Sequence, residues 1–284
     1  MSREPLLTTL LDLDAALPSR ELIVGGGYGL YLKQLYLKDN PEIRTLFSPR
    51  FLPSARTTED IDLILRAEVV TDSESMKEIR QVLDALDFQV VEAAKYMQFV
   101  RDMKPGQVKI DFLAAPLGKL AERVKKDVRR VRPKPSVKLH ASKLEEAVGV
   151  ERDTLRIPIS GELSTGEPRQ TEVLIPQAFT YVLTKLCAFR DRMDDDNKDL
   201  GRHHALDVYR IIALLTEDED SAVHNLSEEF ASHPVVVDAR EIAATYFVMK
   251  NGIGQLRIRE HTLYSDSFDL DRFASELQRL LAAP

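Results

Sequence analysis

Apolar positions along the first 175 residues switch repeatedly between a helical period and a period of two. Leu6, Leu7, Leu10, Leu13 and Leu17 recur near helical spacing and predict a short amphipathic helix over 5–17. Glu21-Leu22-Ile23-Val24 reads as a short strand running into Gly25-Gly26-Gly27, and residues 28–37 as the helix that follows. Residues 60–65 form an apolar β-type run. Residues 75–86 are helical, with Met76, Ile79, Val82, Leu83 and Leu86 on the apolar stripe. Strands are expected over 88–91, 98–102 and 108–113, the last before Pro116. Residues 155–160 and 172–175 predict a hairpin around the polar turn 161–170.

After Pro176 the pattern changes. Proline suits the first turn of a helix, residues 177–192 are strongly helical, and four or five further helices follow with almost no strand signal. The expectation is a mixed α/β (α+β) domain with one sheet over 1–175, then an α-helical domain over 176–284. Residues 38–55 hold three of the fourteen prolines among scattered arginines and read as a surface loop or insertion.

A hydrophobic content of 44% and a charged content of 30% fit an ordinary soluble globular protein of 284 residues. No apolar run approaches the length needed to cross a bilayer. Met1-Ser2-Arg3-Glu4-Pro5 lacks a basic stretch followed by an apolar core, so no signal peptide is expected. Cys187 is the only cysteine, which excludes an intrachain disulfide and fits a cytoplasmic location. The net charge of −7 argues against wholesale wrapping by nucleic acid but leaves room for a local basic patch.

Candidate chemistry centres on Asp60-Ile61-Asp62. A strand repeats every two residues, so both carboxylates point the same way. Such a pair repels unless a cation lies between. A divalent metal answers this, and Mg²⁺ favours oxygen ligands together with substrate phosphates. The flanking apolar residues argue against the alternative of a solvated edge strand. Asp111, between Ile110 and Phe112, is a third acid in an apolar strand, costly unless partnered. If the two strands are neighbours, the three carboxylates converge and would make a two-metal phosphoryl-transfer site. The glycine cluster fits neither G-x-G-x-x-G, since Leu30 takes the third place, nor a phosphate loop ending in Gly-Lys-Ser/Thr. It suits phosphate binding at a helix N-terminus and equally a tight turn with no ligand.

Gly26-Gly27-x-x-Leu30, then Arg56-x-Thr58-x-Asp60-Ile61-Asp62-Leu63, then Asp111 resembles the nucleotidyltransferase superfamily of DNA polymerase β type. Within it the chain looks most like the AbiEii group of toxin–antitoxin enzymes, which includes the mycobacterial MenT toxins. Lys185 and Asp207 match that group's later lysine and helical aspartate in type and order. The long segment between Leu30 and Arg56 departs from it. The resemblance covers about residues 20–215 and implies an N-terminal nucleotidyltransferase domain followed by a helical domain contributing to the active-site cleft. It implies an enzyme moving a nucleoside monophosphate from an NTP to an acceptor, with release of pyrophosphate. Asp60 and Asp62 would hold Mg²⁺ (or Mn²⁺). Asp111 would complete one metal site and help deprotonate the acceptor hydroxyl. Gly26 and Gly27, with the Tyr28 amide, would cradle the triphosphate, and Lys185 would neutralise a phosphate. Arg56 and Thr58 would orient the loop or contact phosphate, or simply form an ion pair and a local hydrogen bond. The toxin grouping also implies a cognate antitoxin as partner.

Lys185 and Arg192 share a helical face, which is equally a solvated basic face. Asp199, His203 and Asp207 follow at i, i+4 and i+8. A polar face with internal pairs is preferred there to a metal site, with Asp207 orienting Lys185 or an arginine and His203 and His204 open as acceptor contacts. Between Lys119 and Lys138 lies a basic stretch that includes Lys125, Lys126, Arg129, Arg130, Arg132 and Lys134. It attracts phosphate backbones, or is a solvated amphipathic helix with a Pro-broken linker. With the transferase reading, it makes an RNA such as the tRNA 3′ end the natural acceptor of a toxin-type enzyme. The alternatives are a transferase of the same fold modifying a protein hydroxyl or a small molecule, and a non-catalytic nucleotide- or RNA-binding protein.

Overall fold

The computed structural model describes residues 4–18, 20–56, 58–104, 106–125, 127–133 and 135–282. The chain divides into two compact units: residues 1–36, 56–145 and 154–176 form the first, and residues 37–55, 146–153 and 177–284 the second.

The first unit is mixed α/β. In chain order it contains α1 (Pro5–Ala16), β1 (Ile23–Val24), α2 (Gly26–Asp39, its last three residues counted with the second unit), β2 (Asp60–Leu65), α3 (Ala67–Thr71) and α4 (Ser73–Ala85). Then come β3 (Gln89–Val90), β4 (Gln98–Met103), β5 (Gly106–Ala114), β6 (Arg130–Val131), β7 (Ala141–Lys143), β8 (Leu155–Glu162) and β9 (Pro168–Ile175). These strands form one open mixed sheet in the order β3-β4-β5-β2-β1-β9-β8, with β7 pairing both β5 and β6.

β2 and β5 lie side by side and run parallel, with Asp60 opposite Lys109 and Asp62 opposite Asp111. Their residues alternate as the period of two requires. Ile61, Leu63, Val108, Ile110 and Phe112 are buried, while Asp60, Asp62, Lys109 and Asp111 are part-exposed. Leu10 and Leu13 of α1 and Met76, Ile79 and Leu83 of α4 are also buried, and Leu13 and Ile79 line one cavity with Leu63 and Phe112 of the apolar face. Phe99 of β4 meets Phe112 edge to face at 5.7 Å. The carboxylates thus occupy the face left open because Ile61, Ile110 and Phe112 claim the other for the core.

The second unit is helical, with α5 (Ala178–Arg190), α6 (Arg202–Ala213), α7 (Glu217–Glu229), α8 (Pro234–Ile242), α9 (Ile253–Arg259) and α10 (Leu270–Leu280). No strand occurs in it among the described residues; the lone bridge is Thr45 to Thr216. Pro176 stands just before the helix rather than in its first turn. Gln177 caps α5 instead, accepting from the amides of Phe179 and Thr180. Its core is aromatic: Phe189 meets Phe247 at 4.9 Å and Tyr209 stacks on Phe268 at 4.5 Å. Residues 38–55, read from the sequence as a surface loop, instead carry the fully buried Phe47, which meets Tyr209 edge to face at 5.8 Å. The segment has little regular structure, but Phe47, the amides of Leu46 and Phe47 bonded to the Leu215 and Ala213 carbonyls, and the Tyr209 hydroxyl bonded to the Phe51 carbonyl seat it in the helical unit.

Candidate active site

The carboxylate face is built from β2, β5 and the turn that joins β1 to α2. Gly25 donates its amide to the Asp62 carbonyl at 2.8 Å, tying the turn to β2. Gly26 has a φ of +60°, and a Cβ there would stand 1.7 Å from Asp62 Oδ2. Both the backbone conformation and the space therefore demand glycine. A Cβ on Gly27 would meet Arg56 Nη2 at 2.9 Å. The Asp62 carboxylate and the Arg56 guanidinium consequently lie directly against the first turn of α2, which begins at Gly26. The amides of Gly26, Gly27 and Tyr28 belong to that first turn, where helix N–H groups have no carbonyl four residues back to bond. The helix expected from residue 28 starts two residues earlier, so Gly26 and Gly27 belong to its first turn rather than to a turn before it. The Tyr28 side chain is elsewhere engaged: it is buried and its hydroxyl donates to Glu4.

Asp60 accepts from Thr58 Oγ1 at 2.6 Å, so Thr58 bonds a carboxylate directly. The residue missed from the sequence is Lys109. Its Nζ lies 3.3 Å from Asp60 Oδ2 and 3.5 Å from Asp111 Oδ2. The signal was available: Lys109 is two residues before Asp111, on the same strand face. Burial pushes the Asp60 carboxyl up, but the Thr58 hydrogen bond and the Lys109 charge outweigh it and hold it below the usual range. For Asp111 burial prevails over Lys109 and a Gln98 hydrogen bond, so its carboxyl is raised. Burial works against the Lys109 charge, yet Asp111 and Asp60 together raise its proton affinity.

Among the described residues no group of three or more His, Cys, Asp or Glu side chains forms a ready-made metal cage. The donor set still suits Mg²⁺, which is commonly held by one or two carboxylates plus substrate phosphates rather than by an all-protein cage. Asp60 and Asp62 supply such oxygens on one face, and Asp111 stands opposite Asp62.

Lys185 and Asp207 belong to the second unit, on α5 and α6. Lys185 Nζ donates to Asp207 Oδ2 at 2.8 Å, and Arg210 Nη1 to Asp207 Oδ1 at 2.9 Å. All three are buried. Asp207 therefore holds both cations, while Asp199 does not continue its helical stripe. Asp199, Leu200 and Gly201 all have positive φ and form a left-handed turn before α6. Asp199 pairs with Arg202 at 2.9 Å and lies 3.5 Å from His203, so the internal pairing expected of this face is present despite the turn, and His203 also meets His261 at 2.8 Å.

The basic stretch is neither a long helix nor a bare linker. It contains a 3-10 turn at Gly118–Arg123 and the short β6. Asp127 organises it, accepting from the amides of Arg129 and Arg130 and from the Arg132 side chain. Lys119, Arg123, Lys125, Arg129 and Lys138 are exposed. Lys126 and Lys134, like Thr57 and residues 1–3, lie outside the described residues.

No family model and no curated protein matches this chain. Solved structures similar to it at low identity include the following two. The solution structure of the antibiotic-resistance factor ANT(2″)-Ia is 12% identical, with 81% of this chain and 98% of that chain covered and a TM-score of 0.35. An antigenic nucleotidyltransferase-like protein from Paracoccidioides brasiliensis is 15% identical, with 82% of this chain and 91% of that chain covered and a TM-score of 0.36.

Proposed function

We propose that the protein is a Mg²⁺-dependent nucleotidyltransferase that moves a nucleoside monophosphate from an NTP to an acceptor hydroxyl. The observation that carries this reading is the parallel register of Asp62 with Asp111, which sets three carboxylates on one open sheet face against a glycine turn. Asp60 and Asp62 would hold the metal, with Asp111 completing the donor set. The bound metal would neutralise the triphosphate and stabilise the leaving oxygen. The Gly26, Gly27 and Tyr28 amides at the start of α2, with Arg56 beside them, would receive phosphate oxygens. Thr58 sets the orientation of Asp60. Asp111, opposite Asp62 on the neighbouring strand, would help take the proton of the acceptor hydroxyl. That oxygen bonds to the α-phosphorus as the bond to the β-phosphate oxygen breaks, releasing pyrophosphate.

The exposed basic side chains Lys125 and Arg129, with Arg130 and Lys126, favour an RNA acceptor over a small molecule, because a phosphate backbone rewards several such contacts at once. A tRNA 3′ end and the part of a toxin countered by an antitoxin are the finer form of the proposal. The motif resemblance supports them. The motif resemblance is what assigns Lys185 to a phosphate; within the second unit it is buried and bonded to Asp207.

The test is incubation of the protein with each α-labelled NTP, Mg²⁺ and either total cellular RNA or total protein. Label is expected in the RNA fraction, dependent on Mg²⁺. Label in protein alone would replace the RNA acceptor with a protein hydroxyl. No label in either fraction with any NTP would overturn the activity.

A further inference from the structure

We propose that the cavity beside the glycine turn receives the base of the transferred nucleotide and selects bases that carry an exocyclic amine. The inference rests on the nucleotide-transfer reading and names the substrate class more finely. The cavity has a volume of about 530 Å³, within the usual range for small-molecule sites, and lies in the first unit. Its polar lining includes Glu4, Tyr28, Tyr31, Thr58 and Glu59. Two of these tie it to the carboxylates. Thr58 bonds Asp60 at 2.6 Å, and Tyr28 directly follows the glycine turn. A nucleotide whose phosphates lie on that turn therefore has this cavity within reach of its base.

The lining matches an amine-bearing aromatic ring in two respects. Tyr31 is part-exposed and stacked on the buried Tyr28, with centroids 5.8 Å apart and planes 16° apart. Such a backed aromatic side chain offers a platform for a heterocycle. Glu4 and Glu59 contribute carboxylates, which when ionised accept hydrogen bonds and donate none. The Tyr28 hydroxyl donates to both Glu4 oxygens at 3.0 Å, which fixes the carboxylate while leaving further lone pairs for a ligand. Adenine, cytosine and guanine each present an exocyclic amine to such an acceptor. Uracil presents carbonyl oxygens on either side of its single ring N–H, and a carboxylate repels them. A site built to bond an exocyclic amine discriminates strongly against a ring that sets a carbonyl oxygen in its place.

The test is equilibrium binding of the α,β-methylene analogues of ATP, CTP, GTP and UTP, with Mg²⁺, to the full-length protein and to Glu4→Gln and Tyr31→Ala. At least one amine-bearing analogue is expected to bind about tenfold or more tightly over the UTP analogue. Glu4→Gln keeps an acceptor for Tyr28 but can turn its amide NH₂ toward uracil, so most of that ratio is lost. Tyr31→Ala weakens all bound analogues by about tenfold. A wild-type preference for the UTP analogue or none at all, or a ratio unmoved by Glu4→Gln, overturns the pocket. Full affinity in Tyr31→Ala overturns it too. Failure of the wild-type protein to bind any of the four analogues would instead overturn the nucleotide-transfer reading itself.

Discussion

At the scale of single residues, the carboxylate face is a problem in charge. Asp60, Asp62 and Asp111 bring three acids to neighbouring strands, and Lys109 offsets part of their repulsion from the same sheet face. Lys109→Met is expected to lower the stability of the metal-free protein by about 1 kcal/mol or less, because the pairs are partly solvated. Added Mg²⁺ should restore that loss in thermal unfolding. A variant as stable as wild type without Mg²⁺ would show that the lysine is not needed there. His140 gives a pH signature away from the site. Burial, with the Arg132 and Arg130 charges, pushes its pKa down to about 4 from 6.5. The unfolded chain therefore binds a proton that the folded chain refuses. This contribution to stability is complete above about pH 6.5 and is lost as pH falls through about 4. His140→Gln should flatten the stability profile between those values, as measured by denaturant unfolding at several pH values. An unchanged slope would place the acid sensitivity elsewhere.

At the scale of elements, what was legible followed from period and composition. The alternation in β2 and β5 put Asp60, Asp62 and Asp111 in strands, and the structure makes those strands neighbours, the condition on which convergence depended. The hairpin of β8 and β9 and the helices α1, α4 and α5 were equally visible, since each carries a sustained pattern. Segments held by contacts with no periodic pattern were hidden. Phe47 is one aromatic in a proline-marked stretch with no periodicity, so its burial in the helical unit had no local signal. The left-handed turn at Asp199–Gly201 broke a stripe that looked continuous on a helical projection. The Asp127 bonds that shape the basic stretch come from a single acid among many bases. Across α5 and α6, Asp207 holds Lys185 and Arg210, and Asp207→Ala leaves two buried cations without that carboxylate. A loss of about 3–5 kcal/mol is expected in denaturant unfolding. A loss under 1 kcal/mol would show that the buried cluster is not needed for stability.

At the scale of the whole molecule, charge is unevenly spread. The chain carries a net charge of −7, yet the stretch from Lys119 to Lys138 is dominated by bases. Replacing Lys125, Lys126, Arg129 and Arg130 with glutamine should weaken binding of RNA and reduce its salt dependence by about one unit of log–log slope per lost phosphate contact. Unchanged affinity at low salt would remove the stretch from any RNA interface. The central claim, however, concerns the sheet face and not the patch. Asp62 is the side chain that both faces Asp111 across the strands and lies against Gly26 at the start of α2. Its most direct test is Mg²⁺-dependent transfer of label from an α-labelled NTP by wild-type protein and by Asp62→Asn, with matched folding checked by circular dichroism. The account predicts robust transfer by wild type and a loss of at least a thousandfold in the variant. Transfer at the wild-type rate by a well-folded Asp62→Asn would contradict it.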